Sequence, residues 1–168
     1  MLEDYVGEAA WRNGVRSYIG KHAYGNAVTD DLWAEIEQAA PGKQFAAVAH
    51  DFTLQPGVPL IRASSACVDG STRVQLEQGE YTVDRPDKTP LRWRVPVSVR
   101  AGDGKAVRVL VDGKASVSLP GCSAPALVNA GQKGYFRTLY APAQFKALRS
   151  GFATLPVVDQ MGLMLDAG

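Results

Sequence analysis

The hydrophobic period of this chain changes near Pro56, and that change limits the fold more than any other feature. Up to Leu54 the apolar residues recur every three to four positions, the spacing of one helix face. Leu2, Tyr5, Val6 and Ala9, then Val15, Tyr18, Ile19 and His22, make such a stripe. Gly7, Gly14 and Gly20 interrupt it, each weakening a helix by about 1 kcal/mol relative to Ala. After a loop at Tyr24-Gly25-Asn26-Ala27-Val28, Thr29 suits an N-cap, with Asp30 and Asp31 in the first turn against the helix dipole. Leu32, Trp33, Ile36 and Ala40 form the buried face of this second helix, and Pro41-Gly42 stops it. Phe45, Val48, Ala49 and Phe52 mark a third, closed by Gln55-Pro56-Gly57. Three short helices bury little area by themselves, so they should belong to something larger.

From Val58 onward the period is two. Trp93, Val95, Val97 and Val99 alternate with Arg92, Arg94, Pro96, Ser98 and Arg100, a strand with one dry and one wet face. Pro96 places that strand at an edge or a bulge, because proline cannot donate to a ladder. Thr72, Val74 and Leu76 alternate in the same way, as do Val107, Val109 and Val111 before Asp112-Gly113 and Ala115, Val117 and Leu119 after it. Asp-Gly between alternating runs signals a tight hairpin in which both residues take positive φ. Asp69-Gly70 and Asp103-Gly104 offer two more. With Val58–Ala66, Ala126–Asn129 and Tyr135–Tyr140 there are about seven short strands, the pattern of a small antiparallel β-sandwich. Pro142, Phe145 and Leu148 begin a helical pattern again, and a last helix is predicted from Pro156 to Leu165. The predicted class is therefore mainly β with flanking helices: N-terminal helices, a sandwich of seven or so antiparallel strands, and a short C-terminal helical segment.

Composition removes several functions. Eighteen Lys and Arg against 17 Asp and Glu leave a net charge of +1, so nothing favours nucleic acid or an anionic membrane surface. No run approaches the roughly 20 apolar residues of a membrane span, and Met1–Tyr5 has neither the basic nor the apolar region of a signal peptide. His22, His50, Cys67 and Cys122 are scattered, with no His-Glu-x-x-His, Cys-x-x-Cys or Gly-x-Ser-x-Gly. Gly102-Asp103-Gly104-Lys105-Ala106 lacks the first glycine and the Ser/Thr of a phosphate loop and reads as a turn. Both histidines read as capping or hydrogen-bonded residues, and Trp11, Trp33 and Trp93 as core or interface. Cys67 and Cys122 stand either as two buried thiols or as one disulfide.

Four stretches in order carry a family resemblance. Met1–Glu8, Trp11–Tyr18, His22–Ala27 and Asp31-Leu32-Trp33 are together similar to a stretch of the aminopeptidase N-like zinc metallopeptidases, the type of puromycin-sensitive aminopeptidase and leukotriene A hydrolase. Gln55-Pro56-Gly57-Val58-Pro59 resembles that family's entry into its β-sandwich. Asn129-Ala130-Gly131-Gln132-Lys133-Gly134-Tyr135-Phe136-Arg137 resembles a late motif of the sandwich, and Asp159–Met164 the first turns of the C-terminal helical domain. The resemblance implies three parts: residues 1–56 as the last helices of the thermolysin-like catalytic domain, 57–141 as the sandwich, and 142–168 as the start of the helical domain.

It also implies what the chain lacks. The family's Gly-Ala-Met-Glu-Asn loop, zinc ligands and transition-state tyrosine all precede the segment that matches Met1, so no residue here inherits a catalytic or metal role. In the parent, zinc would polarise the scissile carbonyl while a glutamate activates the bound water. The expectation is an inactive interior segment that binds no zinc, with the catalytic and C-terminal helical domains of the same parent as its partners and peptide met only through the parent. Asn129, Gly131, Gly134, Tyr135 and Arg137 are the candidate interdomain docking residues. The glycines would allow positive φ in a hairpin between Leu127-Val128 and Tyr135-Phe136, leaving Gln132 and Lys133 at the tip. An apolar face including Leu2, Val6 and Ile19 would favour self-association, and the apolar stretch before Gly168 reads as a cut end. A Cys67–Cys122 bridge would imply an exported or periplasmic parent, and free thiols a cytoplasmic one. The alternative function is a free-standing β-sandwich binding or adaptor module.

Overall fold

The computed structural model describes residues 1–82, 89 and 91–167, so Gly168 and the reading of a cut end there lie outside the described residues. The chain forms two compact units, Met1–Pro56 and a second from Gly57 onward.

The first unit holds four helices, α1 (Leu2–Val6), α2 (Glu8–Lys21), α3 (Thr29–Ala39) and α4 (Phe45–Thr53). The long first stripe is broken at Gly7, whose φ of 93° no helix tolerates, so α1 ends there and α2 starts at the next residue. Gly14 has the opposite effect to a weak point. A Cβ there would lie 2.7 Å from Ile36 Cα, so its bareness lets α2 and α3 touch backbone to backbone. The start of α3 is displaced by one residue: Val28 is the N-cap, and Asp31 accepts a hydrogen bond from its N–H at 2.9 Å. Trp33, Ile36, Phe45 and Ala49 form the core, with Leu2, Val6, Trp11, Leu32 and Ala46 packed around it. Trp11 and Trp33 both meet the Phe45 ring edge-on, at 6.1 and 5.6 Å between centroids. Glu35 is buried and accepts from Ser17 Oγ and Lys21 Nζ, each at 2.6 Å, which joins α3 to α2. His50 bonds Asp30 at 2.7 Å and His22 caps α2, both ordinary helix-end roles.

The second unit contains β1 (Val58–Val68), β2 (Ser71–Tyr81), β3 (Arg94–Ala101), β4 (Val107–Asp112), β5 (Lys114–Pro120), β6 (Ala126–Val128) and β7 (Arg137–Tyr140), followed by α5 (Pro142–Ser150) and α6 (Val157–Asp166). The ladder runs β6-β3-β4-β5-β2-β1-β7. Its weakest link is between β4 and β5, where Asp112 opposite Lys114 is the one pair among the described residues. The ladder therefore folds there into a three-stranded and a four-stranded half, a sandwich-like arrangement. The dry faces supply Val95, Val97, Val99 and Val111 from one half and Ile61, Ala63, Val74, Leu76, Val117 and Leu119 from the other. Cys67 and Cys122 are joined in a disulfide, with 5.5 Å between their Cα atoms, beside the end of β5.

Turn chemistry departs from the expectation in detail. Asp69 and Gly70 both have positive φ, as their sequence demands. Between β4 and β5, Gly113 alone does, and in the β3–β4 connection it is Gly102, not Asp103 or Gly104, that takes the left-handed conformation. Pro96 is accommodated because β6 reaches β3 at Val99–Ala101, leaving the start of β3 paired with β4 alone among the described residues. One strand is not antiparallel: β7 runs parallel to β1 from Leu60↔Arg137 to Ala63↔Tyr140. The segment between β6 and β7 is consequently a crossover between opposite ends of the ladder, not the expected hairpin. The Tyr140 hydroxyl closes those two ends, accepting from Val128 N–H at 3.0 Å and lying 3.2 Å from Val128 O as donor. A side chain thus occupies the edge of β6 that an aggregating strand would otherwise seek.

Candidate docking site

The crossover from Asn129 to Phe136 brings together most of the residues singled out from the sequence. Asn129 follows β6 directly and enters the left-handed region at φ 58°, with Gly131 and Gln132 also positive at 83° and 53°. Asparagine tolerates that conformation because its short amide bonds the local backbone. Its Oδ1 accepts from Gly134 N–H at 2.8 Å, and its Nδ2 donates to Gly134 O at 3.3 Å. Gly134 itself keeps a negative φ. It must be bare because a Cβ would fall 2.2 Å from the Phe136 ring and 2.8 Å from Asn129 Oδ1. Ser98 on β3 ties down the loop through Ala130 O at 3.0 Å.

This loop is a seat for α6. Asp159, wholly buried near the start of α6, accepts from Gly131 N–H at 2.7 Å and from the Arg100 guanidinium at 2.8 Å. One turn on, Gly162 leaves room for Gln132, whose amide would lie 2.0 Å from any Cβ there. Gln132 is therefore not an exposed tip residue. At the far end, Asp166 Oδ1 accepts from Thr138 N–H at 3.0 Å and faces Arg137 Nε at 3.7 Å. Arg137 also donates to the Leu165 carbonyl, where a cation suits the negative end of the helix, and its guanidinium lies 5.3 Å from the Tyr81 ring centre. Burial pushes the Asp166 carboxyl above its usual range, with the Thr138 hydrogen bonds and Arg137 acting in the opposite sense. Burial raises the Tyr140 phenol strongly as well.

Alternation along β7 falls as the pattern requires: Phe136, Thr138 and Tyr140 are buried, while Tyr135 and Leu139 are exposed. The pattern did not point to Arg100, Gln132, Asp159, Gly162 and Asp166. A signal existed in α6, where Asp159 and Asp166 lie seven residues apart on one face opposite Met161. Read by amphipathicity alone, that face would be turned to water.

Among the described residues no three His, Cys, Asp or Glu side chains gather, both cysteines are consumed in a disulfide, and His50 is held by Asp30. The donor set of the described residues does not fit a zinc site. Among the described residues no helix is long and apolar enough to cross a membrane. On the outer face of β1, β2, β5 and β7 an open groove of about 560 Å³ is lined by Arg62, Gln75, Glu77, Lys114, Leu139 and Pro142 among others. Glu77 and Lys114 approach each other to 3.4 Å there.

Residues 1–52 match the model of the Peptidase family M1 domain. Over 99% of its length the chain is 26% identical to tricorn protease-interacting factor F2 of Thermoplasma acidophilum, covering 20% of that protein. It is 30% identical to puromycin-sensitive aminopeptidase of Caenorhabditis elegans, covering 18% of it, and 31% identical to probable aminopeptidase 1 of Sulfurisphaera tokodaii, covering 20%, again with 99% of this chain aligned. Over 99% of its length the chain is thus similar to proteins named aminopeptidases, its first 52 residues match the Peptidase family M1 domain, and it spans about a fifth of the length of the curated relatives it matches.

Proposed function

We propose that this chain is a non-catalytic interior segment of a zinc-dependent aminopeptidase that removes N-terminal residues from peptides. On this reading it supplies the last helices of the catalytic domain, the β-sandwich and the first turns of a C-terminal helical domain. The observation that carries it is the alignment of 99% of the chain with proteins named aminopeptidases, of which it covers a fifth. Zinc and its ligands then belong to the rest of the parent. The test is direct: purified chain is incubated with a panel of aminoacyl-arylamide substrates with and without added zinc, and its metal content is measured. No turnover and no stoichiometric zinc are expected. Chelator-sensitive turnover with one zinc per chain would overturn the proposal.

The partners on this reading are the flanking domains of the same parent, with Asn129, Gly131, Gly134, Tyr135 and Arg137 shaping the joint. The support is that Arg137 holds the last turn of α6, the helix that would lead into the next domain. In a full-length parent, Arg137→Ala should lower both thermal stability and activity; if neither changes, the docking role is wrong. The Cys67–Cys122 bond supports a parent that matures in an oxidising compartment. Finding two free thiols in protein isolated unreduced from its native host would reverse that assignment.

A further inference from the structure

The Cys67–Cys122 bond lies on the surface of the sandwich. Cys67 stands near the end of β1 and Cys122 in the connection from β5 to β6, and both are exposed, although cysteine is among the most buried residue types. The approach to Cys122 is open. Gly121 and Ser123 are exposed on either side of it, and a Cβ built on Gly121 would meet nothing within 4 Å. Cys67 is more enclosed, paired with Thr72 across the ladder between Ala66 and Val68. The bond is also far from where the chain enters and leaves this unit. It enters at Gly57, just before Val58, and at about 3.3 Å per strand residue Cys67 lies roughly 30 Å further on. It leaves by α6, whose Asp166 bonds Thr138 N–H; Thr138 pairs with Ile61, roughly 20 Å along β1 from Cys67. The exposure of the bond thus belongs to the far end of the sandwich, not to either join.

We propose that this bond is a thiol-exchange site, at which a small cysteine-type thiol forms a reversible mixed disulfide on Cys122 while the protein stays folded. Exchange requires only that a thiolate reach one sulfur of the bond. The attacking sulfur bonds to Cys122 Sγ as the Cys67–Cys122 bond breaks. The electron pair of that bond leaves on Cys67 as a thiolate, which takes a proton from solvent. Cys67 reverses the step by attacking Cys122 Sγ and expelling the small thiol. Alternatively a second small thiol attacks the first, leaving two protein thiols and one small-molecule disulfide, so the small thiol is the reductant and no other is needed. The fold survives because the connection is held at both ends by other bonds. Thr72 Oγ1 donates to Gly121 O at 2.7 Å, and Ser71 bridges to Gly121. Beyond the connection, β6 pairs with β3, and Gln144 Nε2 donates to Ala126 O at 2.8 Å. Opening the bond therefore frees residues 122–125 alone and leaves the cysteines placed to rejoin. The inference does not rest on the aminopeptidase reading, since it concerns the exposed bond alone.

The experiment uses the oxidised chain in two arms. In the first, reduction by dithiothreitol is followed by acid quenching and mass spectrometry across a guanidinium series kept below the unfolding transition. The rate should rise in proportion to dithiothreitol and stay flat in denaturant, and the circular dichroism spectrum should be unchanged once reduction is complete. Oxidised glutathione added to that reduced chain should restore the bond. In the second arm the chain meets reduced glutathione briefly, and free thiols are then blocked with a maleimide at acid pH. Peptide mapping should place glutathione on Cys122 in about tenfold excess over Cys67. A reduction rate that climbs steeply with denaturant overturns the proposal, because the bond would then open only through unfolding. So does loss of the fold on reduction, a bond that does not re-form, or glutathione found mainly on Cys67 or on neither cysteine.

Discussion

Replacing Asp159 by alanine tests whether the seat of α6 depends on one buried carboxylate. The side chain is wholly buried and receives two hydrogen bonds, from Arg100 at 2.8 Å and from Gly131 N–H at 2.7 Å. Hydrogen bonds to an ionised group contribute about 1.5–3 kcal/mol each, and truncating one partner of a buried ion pair costs about 3–5 kcal/mol because the other charge is stranded. Arg100 is 22% exposed, so water recovers part of its hydration, and about 3 kcal/mol is the expected loss. For a unit of roughly 110 residues, that corresponds to a fall of about 12 °C in Tm. Asp159→Asn keeps one acceptor and should lose about half as much. The decisive comparison is the double variant Arg100→Met/Asp159→Leu. An apolar pair of similar volume leaves no stranded charge, so it should be more stable than Asp159→Ala alone. Calorimetric unfolding with all four proteins measures this. A loss below about 1 kcal/mol for Asp159→Ala, or a double variant no more stable than Asp159→Ala, would refute the argument.

Three further outcomes follow from the structure. Gly14→Ala gains about 1 kcal/mol of helix propensity but places a methyl 2.7 Å from Ile36 Cα, where overpacking costs about 1–3 kcal/mol, so it should destabilise; Gly20→Ala, with nothing within 4 Å, should stabilise by up to about 1 kcal/mol, and chemical denaturation of both decides which effect wins. Removing the disulfide with Cys67→Ser/Cys122→Ser should cost about 4 kcal/mol through the 55-residue separation it closes, read as a lowered denaturant midpoint against the oxidised wild type. Hydrogen bonds from Lys21 and Ser17 hold the Glu35 carboxyl below its usual range, so its contribution is complete above the unfolded carboxylate range and is lost as pH falls through the lower folded value; Glu35→Gln should flatten that acid limb in a thermal-melt series.

Much of the architecture was legible because each half of the chain states its period without ambiguity. Trp93 to Val99 alternate and are buried in alternation, and Trp33, Ile36 and Phe45 meet as their helical spacing implies. What was not legible depends on contacts distant in sequence. Nothing local distinguishes Gly14, a contact glycine, from Gly20, an open one; the difference is Ile36, on the next helix along the chain. The same holds for the crossover. Its two glycines suggested a hairpin because local chemistry reports that the chain turns, not which strand it joins next. The pairing of β6 with β3 and of β7 with β1 is set by where the two halves of the ladder end.

The candidate site was half visible for a related reason. Asn129, Gly131 and Gly134 declare an unusual backbone, and they do build one. Its purpose lies in residues that local rules assign elsewhere, since Asp159 and Asp166 belong on a wet face by polarity and Met161 on a dry one. Burying an acid is tolerable only where fixed donors await it, and they are the N–H groups of Gly131 in the crossover and Thr138 on β7, beside Arg100 and Arg137. Such a seat specifies a single orientation of α6, because turning the helix would strand two carboxylates at once. The opposite face, with Met161, is turned outward as the direct result. Two buried carboxylates held by fixed donors therefore decide the orientation of the helix, and polarity along its sequence does not.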